Sequence, residues 1–144
     1  MIEQNFKNHG RLLPLYHYVA LLAISFPLVV TIINFIKAIM DESGRVQAAA
    51  MLSLTVAVLL ALWFARSFAL KAQDRAIRSE VNLRHFIATG KPLDSRLRMG
   101  QVIGLRFAGD DEFVSLAQKA ADENMGQKKI KMQIKNWKAD YHRV

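Results

Sequence analysis

The chain carries 20 Lys and Arg against 12 Asp and Glu in 144 residues, with four His, no Cys and 52% hydrophobic residues. That length fits one ordinary domain, and the lack of Cys excludes a disulfide scaffold, a thiolate zinc site, an iron–sulfur cluster and a Cys nucleophile. Most of the hydrophobic residues fall in two runs near the N-terminus and most of the charge follows them, so the sequence speaks to location and architecture more than to a reaction.

The first run, Leu12 to Ile36, is uncharged, as is the second, Val46 to Ala65. As helices at ~1.5 Å per residue they extend ~37 Å and ~30 Å, each enough to cross a hydrocarbon core of ~30 Å. Soluble helices of this size normally carry a polar stripe, and these do not. The first run is also too long for a cleaved leader, and no small-residue cleavage site follows it closely. The spacing therefore predicts two membrane spans, about 12–37 and 46–66. The polar connection Asp41-Glu42-Ser43-Gly44 is short, which makes antiparallel neighbours of the spans and puts both chain ends on one side.

The Lys and Arg distribution orients this hairpin. Lys7, Arg11, Arg66, Lys71, Arg75, Arg78 and Arg84 flank the terminal side, against Lys37 and Arg45 at the turn. Both termini are expected in the cytoplasm, with Tyr16, Tyr18 and Trp63 at the cytoplasmic interface, where amphipathic rings are favoured.

In the second span Ser53, Ala57, Ala61, Ala65 and Ala69 recur every four residues. Small side chains let helix backbones approach closely, and packing drives association in lipid. The first span has its own stripe of Ala20, Ala23, Pro27, Thr31 and Asn34. In a hairpin centred on the turn, Asn34 and Thr31 come level with Ser53, Pro27 with Ala57 and Ala20 with Ala65. The ladder thus either closes the hairpin or docks a second helix. Pro27 lacks an N–H and is expected to kink its span, a tolerated feature in membranes. Asn34 reads as packing glue. No Asp, Glu, Lys or Arg lies inside either run, which argues against an ion or proton pathway.

No helix breaker appears from Val46 to Thr89, so the second span is expected to continue as a cytoplasmic helix until Gly90 and Pro92. Leu70, Ile77, Val81 and Phe86 fall near one side of it. Asp74–Arg78 and Glu80–Arg84 are acid-before-base pairs at i,i+4 that suit an exposed helix. Beyond Pro92, Leu97, Val102, Ile103, Leu105 and Phe107 form an apolar segment closed by Gly109. Asp110-Asp111-Glu112 then suit the N-cap and first turn of a helix running to about Glu123. The last predicted helix spans Gln127 to Lys138. Ile130, Ile134, Trp137 and Tyr141 share one face, and Lys128, Lys131, Lys135 and Lys138 line up beside it. Such a helix either packs on its neighbours with a basic rim or lies on a membrane surface.

Chemistry is sparse. Gly90-Lys91 lacks the P-loop glycine and is followed by Pro92. Gly100 and Gly104 form a weak G-x-x-x-G outside the spans. His17 has no second-span His with which to hold a haem. His9, His85 and His142 are scattered, and Asp110, Asp111 and Glu112 lack His partners for a metal. Residues 66–144 carry 16 Lys and Arg against 9 Asp and Glu. That excess favours anionic lipid; the aromatics are not interleaved as a stacking platform, which disfavours nucleic acid.

Four groups of segments stand out: Gln4-Asn5-Phe6-Lys7-Asn8-His9 with Arg11 and Pro14; Ala65-Arg66, Ala69-Leu70 and Gln73-Asp74-Arg75-Ala76-Ile77-Arg78; Leu105-Arg106-Phe107-Ala108 with Asp110 and Glu112; and Ile130-Lys131, Ile134-Lys135-Asn136-Trp137 and Arg143-Val144. In these the chain resembles an uncharacterised family of small two-span bacterial inner-membrane proteins. Gly126 stands where a Ser would cap the last helix. The resemblance implies a bacterial membrane protein and supplies no activity, cofactor or catalytic residue.

The expected fold is all-α: a transmembrane hairpin with a cytoplasmic helix extension over residues 1–89, and a cytoplasmic helical tail over 90–144. The expected role is a non-enzymatic accessory or scaffold subunit without cofactors, self-associated or in a larger membrane complex. The alternative is a membrane-anchored module whose basic tail recruits anionic lipid or nucleic acid. The packing residues of the first role are Ala20, Ala23, Pro27, Thr31, Asn34, Ser53, Ala57, Ala61 and Ala65. The tail contributes Ile130, Ile134, Trp137, Lys128, Lys131 and Lys135.

Overall fold

The structure, a computed structural model, describes residues 4–6, 8 and 15–140, except the side chains of Leu15, Tyr16 and His17. The start of the first predicted span, Lys7, His9, Arg11, Pro14 and Tyr141 to Val144 lie outside the described residues. Among those described, the regular elements are all helical, with one isolated β-bridge. A π-helical segment, Leu15–Ala20, leads into α1 (Leu21–Met40). Then come α2 (Arg45–Thr89), α3 (Met99–Leu105), α4 (Asp110–Asp122) and α5 (Gln127–Gln133). The chain divides into two compact units: Arg11–Phe68, and Met1–Gly10 with Ala69–Val144.

In the first unit, α1 and the opening turns of α2 are long and apolar enough to cross a membrane. The most apolar stretch of each is 6% and 0% buried, respectively; a core helix of a soluble protein would be mostly buried. All four Ser and Thr hydroxyls of the two uncharged runs bond to the backbone of their own helix. Ser25 donates to Leu21 O (2.6 Å), Thr31 to Pro27 O (2.8 Å), Ser53 to Ala49 O (2.7 Å) and Thr55 to Met51 O (2.9 Å). This is how a hydroxyl avoids being left without a partner where no water competes.

The turn at 41–44 is held by its own polar groups. The Asp41 N–H donates to Lys37 O at 2.8 Å, and Arg45 pairs with Glu42 at 3.2 Å. Glu42 and Gly44 both have positive φ (54° and 68°). Gly44 takes this conformation without a steric penalty, and it ends α1 and restarts α2 within four residues.

In the second unit, Gly90 at φ +70° ends α2 as the sequence predicts. The core is built from α3, α4, α5 and the last turns of α2. Ile77 and Val81 are buried with Leu97, Val102, Leu105, Phe107, Phe113, Met125 and Ile130. At ~1.5–3 kcal/mol per fully buried side chain, this small core is the main stabilising element of the unit. α3 and α5 pack closest. A Cβ on Gly104 would lie 3.3 Å from Gln127 O and Ile130 Cγ2, so the second glycine of G-x-x-x-G serves a short helix contact within the tail.

Two polar side chains, Gln101 and Lys131, are buried among these helices. Gln101 Oε1 accepts the Arg98 N–H at 2.7 Å, and its amide donates to Ala120 O and Met125 O at 3.0 Å each. It thereby joins the start of α3 to the end of α4.

Two sequence expectations need correction. The last helix stops at Gln133 rather than Lys138, and Ile134 is already extended (φ −68°, ψ 122°). The reason is Glu112, whose carboxylate accepts the backbone N–H groups of Lys135 and Asn136 at 3.0 Å. Asn136 also donates to Asp111 (2.6 Å), Lys138 N–H to Phe107 O (2.8 Å), and Trp137 bridges Ala108. These bonds fix 134–138 as an extended strap. The same contacts change the role of the acidic triplet. It does lie in the first turn of α4, but the N-cap is Gly109, with no side-chain cap. The carboxylates hold the strap and Arg84.

Candidate interaction surfaces

Within the first unit the α1 stripe is divided. Thr31 is buried and Ala20 half-buried, whereas Ala23, Pro27 and Asn34 are exposed. Pro27, Thr31 and Asn34 line a groove of about 550 Å³ together with Gly44, Gln47, Ala48 and Met51. The ladder residues Ser53, Ala57, Ala61 and Ala65 are not among its walls; all four are exposed. The backbones of α1 and α2 do not approach within 8 Å over any extended stretch. Asn34 has no hydrogen-bond partner among the described residues. Tyr18 and Trp63 are exposed at the ends of the apolar stretches.

In the second unit, Ile130 and Ile134 are buried and Trp137 half-buried, its ring 5.0 Å from that of Phe107. The apolar face of α5 and the strap is therefore used inside the unit. Lys131 leaves the expected basic stripe: it is 8% exposed and its Nζ lies 5.1 Å from the Phe107 ring centre. Lys128 and Lys135 remain exposed.

Several interacting residues were not legible as such. Arg84 does not pair with Glu80. Its Nε donates to Asp110 Oδ1 at 2.6 Å, its Nη2 to Ala108 O at 2.7 Å, and its guanidinium lies 4.2 Å from the Phe113 ring centre. A tertiary partner presented by α4 outcompetes a local pair worth a few tenths of a kcal/mol. Beside it lies a cleft of about 560 Å³ with Val81, Leu83, Ile87 and Phe113 in its walls and Glu80, Arg84, Arg106, Asp110 and Lys138 around them. Leu83 and Ile87 are 58% and 76% exposed.

A second, smaller cleft of about 360 Å³ is lined by Arg75, Arg78, Ser79, Asn82, Leu93 and Asp94. Near it, Arg96 bridges Asp94 (2.7 Å) and Asp122 (2.9 Å). Hydrogen bonds from the Arg96 side chain and backbone hold the Asp94 carboxyl below the usual range. Asp122 is lowered by Gln118 and then Arg96, and Arg96 itself is raised by Asp94 and then Asp122.

The two ends of the chain meet in this unit. The Asp140 N–H donates to Gln4 Oε1 at 2.8 Å, and Gln4 Nε2 donates to Asp140 O at 3.3 Å. Among the described residues, no three His, Cys, Asp or Glu side chains are grouped to hold a metal ion.

Across its whole length, residues 1–144, the chain matches the model of a family of unknown function, DUF6526, and it belongs to that family. No curated protein and no solved structure matches it.

Proposed function

We propose that this member of the family is a two-span protein of a bacterial inner membrane, in which α1 and α2 form a hairpin with both chain ends in the cytoplasm. It would act as a non-enzymatic accessory or scaffold subunit. The observation that carries the topology is the two-way hydrogen bonding between Gln4 and Asp140. Segments joined in this way lie on one side of a membrane, so the chain between them crosses it an even number of times. Two apolar helices supply two crossings. The excess of Lys and Arg around the terminal side supports the cytoplasmic assignment.

Support for the scaffold role comes from what each unit leaves exposed. The tail uses its own apolar face internally, while α2 keeps an exposed one. Within the first unit, Ser53, Ala57, Ala61 and Ala65 of α2 are all exposed. The occupant that fits is α2 of a second copy, since in a shared membrane two copies run parallel and present the same face to each other. Asn34, an amide without a partner among the described residues, adds a self-complementary donor and acceptor.

Two measurements test this. A Cys at Ser43 should react with an impermeant thiol reagent in intact spheroplasts, and one at Gln127 should not; the reverse labelling would sink the orientation. Co-purification of two differently tagged copies in mild detergent should be lost on Ala57→Leu or Ala61→Leu and kept on Leu59→Ile. Unchanged capture by both Ala variants would remove self-association through this face.

A second reading, a membrane-anchored binding module, is favoured by one observation: Arg75 and Arg78 stand exposed in their cleft, and neither makes an ion pair within 4.0 Å among the described residues.

A further inference from the structure

We infer that Arg75, Arg78 and Asn82 form a binding site for a phosphate group, which deepens the binding-module reading by naming its ligand chemistry. Arg75 and Arg78 are three apart on α2 and Asn82 follows Arg78 by four, so all three share one helix face. All three line the same cleft, whose far wall is Leu93 and Asp94. Asp74, four residues before Arg78, does not pair with it, so neither guanidinium is neutralised by a carboxylate among the described residues.

The amide is oriented. Asn82 Oδ1 accepts the Leu93 N–H at 2.8 Å, which assigns the oxygen and leaves the Nδ2 hydrogens to donate. Ser79 Oγ donates to Arg75 O at 3.1 Å and serves the helix rather than the cleft. The one carboxylate in the wall, Asp94, is held by Arg96 through Nε at 3.1 Å and Nη2 at 2.7 Å. Its charge is therefore compensated in part by Arg96, and only the remainder opposes an anion. Two planar, forked cations beside an amide donor suit a tetrahedral oxyanion, since guanidinium binds phosphate oxygens in bidentate fashion.

A lipid headgroup and a soluble phosphate present the same oxygens to such a site.

The test uses the full chain in a maltoside detergent, which carries no phosphate. Inorganic phosphate is titrated by calorimetry, and retention of phosphatidic acid against phosphatidylcholine is read by native mass spectrometry. Arg75→Ala and Arg78→Ala should each weaken binding tenfold or more, as expected for loss of a charge-assisted hydrogen bond. Asp94→Asn, which can still accept the Arg96 N–H, should tighten it severalfold by removing a like charge. Lys128→Ala, equal in charge but on α5, should change it less than twofold. Binding of inorganic phosphate assigns a soluble source, selective retention of phosphatidic acid alone assigns the headgroup, and displacement of one by the other assigns both. Binding of neither probe, an equal loss with Lys128→Ala, or weaker binding by Asp94→Asn would overturn the inference. The calorimetric arm needs no membrane, so its failure is distinct from a failure of the Ser43 and Gln127 labelling.

Discussion

Gln101 is the most exacting point of the tail, and replacing it by Met isolates its polar role, because Met has similar length and no hydrogen-bonding end. Gln101 is 3% exposed, and its partners Ala120 and Met125 belong to the buried core. The substitution removes three hydrogen bonds of 2.7–3.0 Å. The Ala120 carbonyl keeps the Met125 N–H at 3.0 Å, so the cost concentrates on the Met125 carbonyl and the Arg98 N–H. A buried group without its partner costs ~1–3 kcal/mol, and the total is about 2–4 kcal/mol. At ~1.4 kcal/mol per factor of ten, this is a ~30- to ~1000-fold rise in opening of the α3–α4 junction. Hydrogen exchange of the full chain in detergent, read on peptides covering 99–105 and 120–126, measures it. Gln101→Glu adds a sign. Burial and two facing carbonyls would raise that carboxyl's pKa in the folded state. Its stability would be fully present below the unfolded value near ~4.3 and lost as pH rises through the raised folded value. Exchange in Gln101→Glu should therefore accelerate from pH 5 to 8 beyond the intrinsic pH effect, and in wild type it should not. Wild-type protection in Gln101→Met within threefold, or a Glu variant that worsens with acid, would refute the assignment of these bonds as structural.

The strap makes its own predictions. Glu112→Ala should expose the Lys135 and Asn136 N–H groups to exchange while α5 stays protected; coincident loss of α5 would mean the strap is not held separately. Gly109→Ala places a Cβ 2.9 Å from Asn136 Cβ and 3.0 Å from Asn136 O, so it should displace the strap at ~1–3 kcal/mol. Gly126→Ala meets nothing within 4 Å and should be near neutral in the same exchange measurement. Both Asp94 and Asp122 are lowered in the folded state, so their contribution is present above the ordinary carboxylate range near ~4 and lost as pH falls through the lowered values. Asp94→Asn should blunt the acid-induced rise in exchange around 94–98, and an unchanged acid response would discount that cluster.

Much of the helical layout was legible because it rests on local chemistry. The two uncharged runs, the breaker at Gly90 and the acidic opening of α4 each act within a few residues of themselves. The end of α5 was not legible, because it is decided 23 and 24 residues away, where Glu112 takes the N–H groups of Lys135 and Asn136. Nothing in Gln127 to Lys138 opposes a helix; the periodicity was real and a tertiary competitor overrode it. The same holds for Arg84, whose local partner Glu80 fits the i,i+4 rule while Asp110, 26 residues on, holds it. Lys131 looked like one of four basic rim residues, and only the position of Phe107 makes it a packed one.

These misses share a cause, and it bears on how the tail is held. Its core is too small to be assembled from 90–144 alone, and it borrows Ile77 and Val81, 6% and 3% exposed, from α2. The helix that carries the apolar run thus also supplies core side chains to the folded tail. Truncating Ile77 to Ala should cost ~2–5 kcal/mol and Val81→Ala somewhat less, spread over α3 and α4 rather than confined to α2. The exposed Leu83 and Ile87, two and six residues beyond Val81, should cost far less when changed to Ala, because much less buried area is lost. Limited proteolysis of the full chain in detergent separates these cases. Cleavage in 90–126 should follow Ile77→Ala and Val81→Ala and not Leu83→Ala. Cleavage that ignored Ile77 would mean the tail packs without α2, and that the boundary between the two units lies after Thr89 rather than at Ala69.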